Sequence, residues 1–228
     1  MTHLILRKDE NLVKFAQELK QDPTIISVYI DSCNIGTEGV IIIANILETN
    51  TNVVHLSIIN DNVKKEGITA LGKMIKNNNT MTSLNITNIT KFESGIQPII
   101  DGLKNNTTIK SLNLSNNYIY NLNYCSLSNI LKTNNTLEKL YLANTVSYEG
   151  LDGMRFLLSL LKYNTTLCEL DLSDNYFDDD IIVNELQSSL LESSLNIVRI
   201  YNSNITSIGL DAVYNILNCN KKIKEIVF

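Results

Sequence analysis

Apolar residues recur along the chain in the spacing L-x-x-L-x-L, where L is an apolar residue and x is any residue. The clearest copy, IKSLNLSNNYI, runs from Ile109 to Ile119. The copies begin at Ile25, Val53, Met81, Ile109, Leu137, Leu167, Leu195 and Ile223. Six of the seven intervals between these positions are 28 residues and one is 30, so the chain is a repeat protein.

The two halves of each repeat have different apolar periods. The alternating positions of the first half predict a β-strand, and the apolar residues three and four apart in the second half predict a helix. A glycine that allows a tight turn precedes several of the helical segments: Gly39, Gly67, Gly95, Gly153 and Gly209. An Asn or Asp stands near each helix end, where we expect the left-handed conformation: Asp22, Asn50, Asn78, Asn106, Asn134, Asn164 and Asn220.

Two repeats depart from this pattern. The 30-residue interval places two inserted residues in the loop Val146–Asp152. In the sixth repeat, Asp178-Asp179-Asp180 stands where the other repeats have the residues that lead to the glycine. We expect the helix of this repeat to be displaced by one residue.

One strand and one helix cannot bury their own apolar stripe, so the units are expected to stack with parallel strands and the wider helices outside. The period, the L-x-x-L-x-L core and the glycine-led helix resemble the leucine-rich repeat proteins, specifically the ribonuclease-inhibitor-like class. This resemblance implies an α/β solenoid, or horseshoe, with a parallel sheet on the concave face and helices on the convex face. Residues 25–228 would form about seven full repeats and a final strand. Residues 1–24, with a helix at Asn11–Lys20, would be an N-terminal capping half-repeat of the same domain.

The family carries an inward ladder of Asn or Cys at the ninth position of the repeat. This chain keeps it at Cys33, Asn117 and Asn175, and has other residues at Asp61, Ile89, Thr145 and Ser203. We expect irregular turns at the substituted positions.

Composition narrows the functional classes. The 228 residues include 19 Lys+Arg and 24 Asp+Glu, with a net charge of -5 and no basic run, which argues against a nucleic-acid groove or an anionic membrane surface. The apolar runs are too short for membrane insertion, and the N-terminus lacks a secretory apolar region, so we expect a cytoplasmic protein. Four scattered cysteines are expected to be reduced and mostly buried: Cys33, Cys125, Cys168 and Cys219.

Candidate binding residues lie between the core positions of the strands, on the face of the sheet opposite the core. The C-terminal repeats gather Lys139, Tyr141, Glu169, Asp171, Arg199 and Tyr201 there. Because Tyr and Arg anchor many interfaces, we predict a binding patch at these residues. Alternatively, the charged members form a solvated ladder of cross-strand pairs. A smaller second candidate consists of Tyr29, Asp31 and His55.

Catalytic signatures are missing from the sequence. It contains no phosphate loop, nucleophile elbow or zinc-helix motif, and neither His3 nor His55 has a triad partner at a motif spacing. The acidic residues between Asp171 and Asp180 lack the Gly and the closing Glu of a calcium loop. We expect these carboxylates to be solvated and to interact favourably with a helix N-terminus. We expect no enzyme activity, cofactor or metal.

These observations favour a non-enzymatic protein–protein interaction module, an effector or regulatory scaffold, that binds a protein through the concave face and adjoining loops. The family resemblance leaves two alternatives: a GTPase-activating accessory of the Ran GTPase-activating type, and a tropomodulin-like actin-binding regulator. The composition, rich in Asn, Ile and Lys, indicates an AT-rich coding sequence. If the source is an intracellular bacterium, a small repeat protein that looks eukaryotic would be expected to act as an effector in the host cytosol. The last strand, Glu225–Phe228, has no capping unit, which suggests a longer protein or end-to-end self-association.

Overall fold

The computed structural model describes residues 2–8, 10–90, 95–145, 151–175, 177 and 179–227. Its internal contacts divide the chain into two compact units, Met1–Asn117 and Tyr118–Phe228, and each unit contains both strands and helices.

The first unit alternates strands and helices along the chain. Its strands are β1 (Thr2–Leu6), β2 (Ile25–Asp31), β3 (His55–Ile59), β4 (Ser83–Thr87) and β5 (Ser111–Asn113). Its helices are α1 (Leu12–Gln21), α2 (Gly36–Leu47), α3 (Lys65–Asn77) and α4 (Gln97–Leu103). Neighbouring strands pair in parallel in chain order, and the register joins Val28 to Leu56 and Leu56 to Leu84. The 28-residue period is therefore the spacing along the sequence between equivalent residues of neighbouring strands.

The second unit follows the same plan. Its strands are β6 (Lys139–Tyr141), β7 (Glu169–Asp171), β8 (Ile197–Arg199) and β9 (Glu225–Val227), all paired in parallel. Its helices are α5 (Asn121–Leu131), α6 (Leu151–Leu160), α7 (Asp179–Ile181), α8 (Gln187–Glu192) and α9 (Ser207–Cys219). The predicted α/β solenoid architecture is confirmed in both units.

The irregular repeats are accommodated locally. Leu140 pairs with Leu170 across the longer repeat, so the two extra residues leave the strand register intact. Of the loop predicted to hold them, residues 146–150 lie outside the described residues, as do Asp178 and Phe228. Between α7 and α8, Ile182–Leu186 form a π-helical turn. Such a turn adds one residue to a helix, which accounts for the one-residue displacement expected there.

The core of each unit lies between the sheet and the helices. The three apolar positions of the repeat motif are buried in the repeats that begin at Ile25 to Leu195, as at Leu56 and Ile58 in β3 and at Leu170 and Leu172 in and after β7. Burying each such side chain contributes about 1.5–3 kcal/mol relative to leaving it in water. Stacked repeats thus obtain their stability from rows of equivalent residues.

Residues 1–24 contain a strand in addition to the expected helix. In β1, Leu4 and Leu6 pair with Val28 and Ile30, and both leucines are buried. These partners are only 24 residues apart, so a search at a period of 28 overlooks the strand. The N-terminal segment therefore includes both elements of a repeat.

The left-handed conformation predicted for the Asn residues at the helix ends is wrong. Asn78, Asn164 and Asn220 have φ of -77°, -89° and -93°. The Oδ1 atom of Asn78 accepts hydrogen bonds from the N–H groups of Thr80 and Met81, and its Nδ2 donates to carbonyls of the preceding repeat. These side chains satisfy buried main-chain groups where the helix turns into the next strand.

The left-handed residues instead follow the strands, at the eighth position of the repeat. Those at this position are Ser32, Asn60, Asn88, Asn116, Asn144, Asp174 and Asn202, with φ between 51° and 59°, and Asn34, two residues after Ser32, adopts the same conformation with φ of 52°. Asn and Asp tolerate this conformation better than most other residues.

The role predicted for the glycines is also corrected, at Gly39 for example. This residue lies inside α2, where a Cβ atom would stand 2.5 Å from Cβ of Ile35 and 3.0 Å from Cδ2 of Leu12. Close packing against the helix therefore requires glycine at this position. Gly95, with φ of 52°, does adopt the left-handed conformation.

Candidate functional site

The strand register of the second unit brings the predicted patch residues onto one face. Lys139 lies opposite Glu169, and Asp171 lies between Tyr141 and Arg199 on the neighbouring strands. We call Lys139, Tyr141, Glu169, Asp171 and Arg199 the strand-face cluster. Alternation along three short strands is sufficient to place these side chains together.

Glu169 is the centre of the strand-face cluster. Its side chain is buried, and only 7% of the residue is exposed. Lys139 Nζ lies 3.0 Å from Glu169 Oε2, and Arg199 Nη1 donates a hydrogen bond of 2.5 Å to Oε1. The hydroxyl of Tyr141 donates to the same carboxylate. One buried anion on β7 is thus held by two cations and a phenol from the two neighbouring strands, β6 and β8.

The pKa values in the strand-face cluster follow from this arrangement. Burial alone would raise the pKa of Glu169, but the hydrogen bonds from Lys139, Arg199 and Tyr141 outweigh it and lower that pKa. The hydrogen bond to Glu169 and the charge of Glu169 raise the pKa of Lys139. Burial, followed by the charge of Glu169, raises the pKa of Tyr141. All four groups therefore keep their usual charge state at neutral pH.

The charged residues form cross-strand ion pairs, as in the alternative interpretation of the sequence, but the central member of these pairs is buried rather than solvated. Glu169 is buried, whereas 46% of the Lys139 side chain and 28% of the Arg199 side chain are exposed. The two cations thus show part of their surface to solvent while held in place by a hidden carboxylate. Whether a partner uses this surface stays a prediction.

Asp171 and Tyr201 lie at the carboxyl end of the same strands. Asp171 Oδ1 accepts a hydrogen bond of 2.9 Å from Ser173 N–H, and its charge contributes to raising the pKa of Arg199, after the hydrogen bond to Glu169. Tyr201 follows β8 and is 41% exposed. Within the described part of the chain, no side-chain hydrogen bond or ion pair joins Tyr201 to the strand-face cluster.

The smaller N-terminal candidate is only partly assembled. The hydroxyl of Tyr29 donates to Asp31 at 3.2 Å, and Asp31 also accepts from the Ser32 hydroxyl and from Asn60 Nδ2, each at 2.9 Å. The hydrogen bonds from Ser32 and Asn60 lower the pKa of Asp31. His55 is exposed at the start of β3, and no hydrogen bond between described residues links it to Tyr29 or Asp31.

Sequence reasoning missed a chain of amides beside this candidate. Asn88 Nδ2 donates to Asn60 Oδ1 at 2.8 Å, and Asn60 Nδ2 donates in turn to Asp31. In the second unit, Asn202 Nδ2 donates to Asp174 Oδ1 at 2.7 Å. The recurrence of Asn or Asp at the eighth position of the repeat is the signal that identifies this row.

The acidic run of the sixth repeat takes part in structural contacts. Asp179 accepts hydrogen bonds from Thr206 and from Gly209 N–H at the start of α9, and these bonds lower its pKa. Asp180 pairs with Arg155 at 3.0 Å. The described residues contain no group of three or more His, Cys, Asp or Glu side chains placed to hold a metal ion.

The four cysteines form no disulfide bonds, and they are less buried than predicted. Cys33, Cys125 and Cys168 are half-buried and Cys219 is exposed, so the expectation of mostly buried thiols is wrong. In the portion of the chain that is described, no helix combines the length and apolar character that a bilayer crossing requires.

Comparison with known proteins gives similarity to solved structures only. No protein-family model matches the chain, and no curated protein matches it. The tropomodulin C-terminal domain of Caenorhabditis elegans is 12% identical, with a TM-score of 0.49 over 68% of this chain and 93% of that one. Leiomodin-1 Actin-Binding Site 2 is 21% identical, with a TM-score of 0.41 over 90% of this chain and 87% of that one. At this degree of similarity, neither structure identifies a partner for this chain.

Proposed function

We propose that the chain is a non-enzymatic protein–protein interaction module that binds a protein partner through the open face of β6, β7 and β8 and the adjoining loops. The observation that carries this proposal is the strand-face cluster, in which buried Glu169 fixes Lys139, Tyr141 and Arg199 in one geometry. A surface already held in place loses less side-chain entropy when a partner binds.

The chemistry of this face suits a protein partner. Arg and Tyr are enriched among the residues that dominate binding energy, and they act best when surrounded by groups that exclude water. Tyr201 is 41% exposed beside the cluster, and the half-exposed Lys139 supplies a charge at its edge. The face thus combines an aromatic anchor with cations whose directions are set.

Three further assignments belong to this proposal. The 28-residue period supports membership of the ribonuclease-inhibitor-like class of leucine-rich repeat proteins. Four cysteines without disulfide bonds support action in the reducing cytoplasm. The lack of a catalytic motif in the sequence supports a role without enzyme activity. No described residue favours the GTPase-activating or actin-binding alternative over this proposal.

The test is quantitative affinity capture from cytosol with two matched variants. Tyr141→Ala/Tyr201→Ala alters the proposed face, and Tyr163→Ala/Tyr214→Ala removes two exposed tyrosines from the helical side of the same unit. We expect a captured protein to be lost with the first variant and kept with the second, while circular dichroism shows both folded. Equal capture by wild type and the first variant would exclude this face as the interface.

A further inference from the structure

Asp61 occupies a structural position that asparagine fills elsewhere in the chain. It is the ninth residue of its repeat, it follows β3, and only 2% of it is exposed. Asn117 stands at the same position two repeats later, and Asn175 stands there in the second unit. The three side chains can therefore be compared atom by atom.

The asparagines use both ends of their amide. Asn117 Nδ2 donates to the carbonyl oxygens of Ile86 and Leu114 at 2.6 and 2.9 Å, and its Oδ1 accepts from the N–H groups of Ile89 and Thr90. Asn175 repeats this arrangement with carbonyls at 2.9 and 2.7 Å and one N–H donor. The position thus requires a hydrogen-bond donor on one side and an acceptor on the other.

Asp61 provides an acceptor with one oxygen, as the asparagines do, but it receives hydrogen bonds from N–H groups two positions further along the preceding repeat. Its Oδ1 accepts from Gly36 N–H at 3.5 Å and from Ile35 N–H. Its Oδ2 is buried and has no hydrogen-bond partner among the residues that the structure describes. By the repeat, the carbonyls of Ile30 and Ile58 correspond to those that Asn117 contacts. An ionised Oδ2 at this buried position would be a charge without a hydrogen-bond donor to compensate it.

We propose that Asp61 is a neutral carboxylic acid in the folded protein at neutral pH. Its Oδ2–H donates to the main-chain carbonyl of Ile30 or Ile58, in place of the asparagine amide. Ionisation removes this donor, so the turn at residues 32–36, in which the N–H groups of Ile35 and Gly36 donate to Oδ1, becomes sensitive to pH.

The turn that Asp61 holds carries backbone strain. Ser32, Asn34 and Gly36 have φ of 54°, 52° and 62°, which places three left-handed residues within five positions. Such conformations persist only where surrounding contacts enforce them. The same turn follows Asp31, so its order affects the end of β2 that carries the smaller candidate surface.

The charges near Asp61 oppose its ionisation. Burial raises the pKa of Asp61 above its ordinary value of 3.8, and the charge of Asp31 raises it further, against the hydrogen bonds from Gly36 and Ile35. Burial raises the pKa of the neighbouring Cys33 thiol, and the charges of Asp31 and Glu10 contribute to raising it. Among the described residues, the ionisable groups that interact with Asp61 are thus acids.

The sign of the pH dependence follows. Well below pH 3.8 the Asp61 carboxyl is protonated in both the folded and the unfolded chain, so it makes no pH-dependent contribution to the free energy of unfolding. At higher pH the unfolded chain loses the proton while the folded chain keeps it, so stability falls until the folded-state pKa is passed. Within this range the unfolding equilibrium constant increases up to about tenfold per pH unit.

The direct test is nuclear magnetic resonance titration of the ¹³C carboxyl signal of Asp61 in the wild-type chain. We expect the signal of the protonated carboxyl to persist at neutral pH, and a signal that has already changed to that of the carboxylate at neutral pH overturns the proposal. This measurement needs no variant, so it holds even if a substitution prevents folding.

Two reciprocal variants test the consequence by denaturant titration across the pH range. Asp61→Asn supplies an amide donor that needs no bound proton, so we expect higher stability at neutral pH and loss of the Asp61 contribution to the pH slope. Asn117→Asp should create such a slope where none existed. If Asp61→Asn leaves the pH dependence of the wild type unchanged, the turn is not controlled by this carboxyl.

Discussion

Replacing Glu169 with Gln removes the negative charge that Lys139 and Arg199 share, while it keeps the size of the side chain. A buried hydrogen bond to a charged group contributes about 1.5–3 kcal/mol. Here 46% of the Lys139 side chain and 28% of the Arg199 side chain remain exposed, so water replaces part of each contact. We therefore expect Glu169→Gln to lower the free energy of unfolding by about 1–2 kcal/mol at neutral pH.

The assay is denaturant unfolding of wild type and variant, with Glu10→Gln as the matched control. Glu10 pairs with Arg7 at 3.6 Å, and both side chains are largely exposed, so this control should change stability by less than about 0.5 kcal/mol. High salt should remove the small control effect and leave most of the Glu169 effect, because a buried charge is screened less.

The pH dependence of this variant provides the sharper criterion. The pKa of Glu169 is lowered from 4.5, so its contribution is present above the unfolded-state value and is lost as pH falls through the folded-state value. The difference between wild type and Glu169→Gln should therefore disappear in strong acid. If the difference is absent at neutral pH, the carboxylate does not organise the strand-face cluster, and the solvated-ladder alternative is correct.

Two further substitutions test the packing of the first unit. Gly39→Ala places a methyl group 2.5 Å from Cβ of Ile35 and should destabilise the unit by about 1–3 kcal/mol, measured as a lower denaturation midpoint; a midpoint at or above that of the wild type would show that the helix is not closely packed there. Asn78→Ala deletes the bonds to the carbonyls of Leu47 and Asn50 and leaves buried groups without partners, at a cost of about 2–4 kcal/mol. Faster amide hydrogen exchange at Met81 should accompany that loss, and unchanged exchange would contradict the structural role of the amide.

The sequence was sufficient to predict the repeat, the parallel pairing and the core positions, because a fixed period puts equivalent residues side by side. Val28, Leu56 and Leu84 stack as that period requires. The strand around Leu4 was not predicted, because the interval between Leu4 and its partner Val28 is shorter than the repeat and a single short strand has no periodicity of its own.

The roles of the asparagines could not be assigned from the sequence, since Asn is suited to two different tasks. It tolerates the left-handed backbone, as at Asn60, and its amide can satisfy main-chain groups, as at Asn78. Which task a position requires depends on the carbonyls and N–H groups brought there by the neighbouring repeat.

The candidate site divides in the same way. Strand alternation by itself placed Lys139, Glu169 and Arg199 on one face, because side chains two residues apart share a side of a sheet. Only the tertiary structure decided that Glu169 is buried between its partners and that, among the described residues, His55 forms no hydrogen bond with Asp31 and one oxygen of Asp61 has no hydrogen-bond partner. Burial and hydrogen bonding depend on groups from neighbouring strands and turns, and their positions are settled only when the repeats pack.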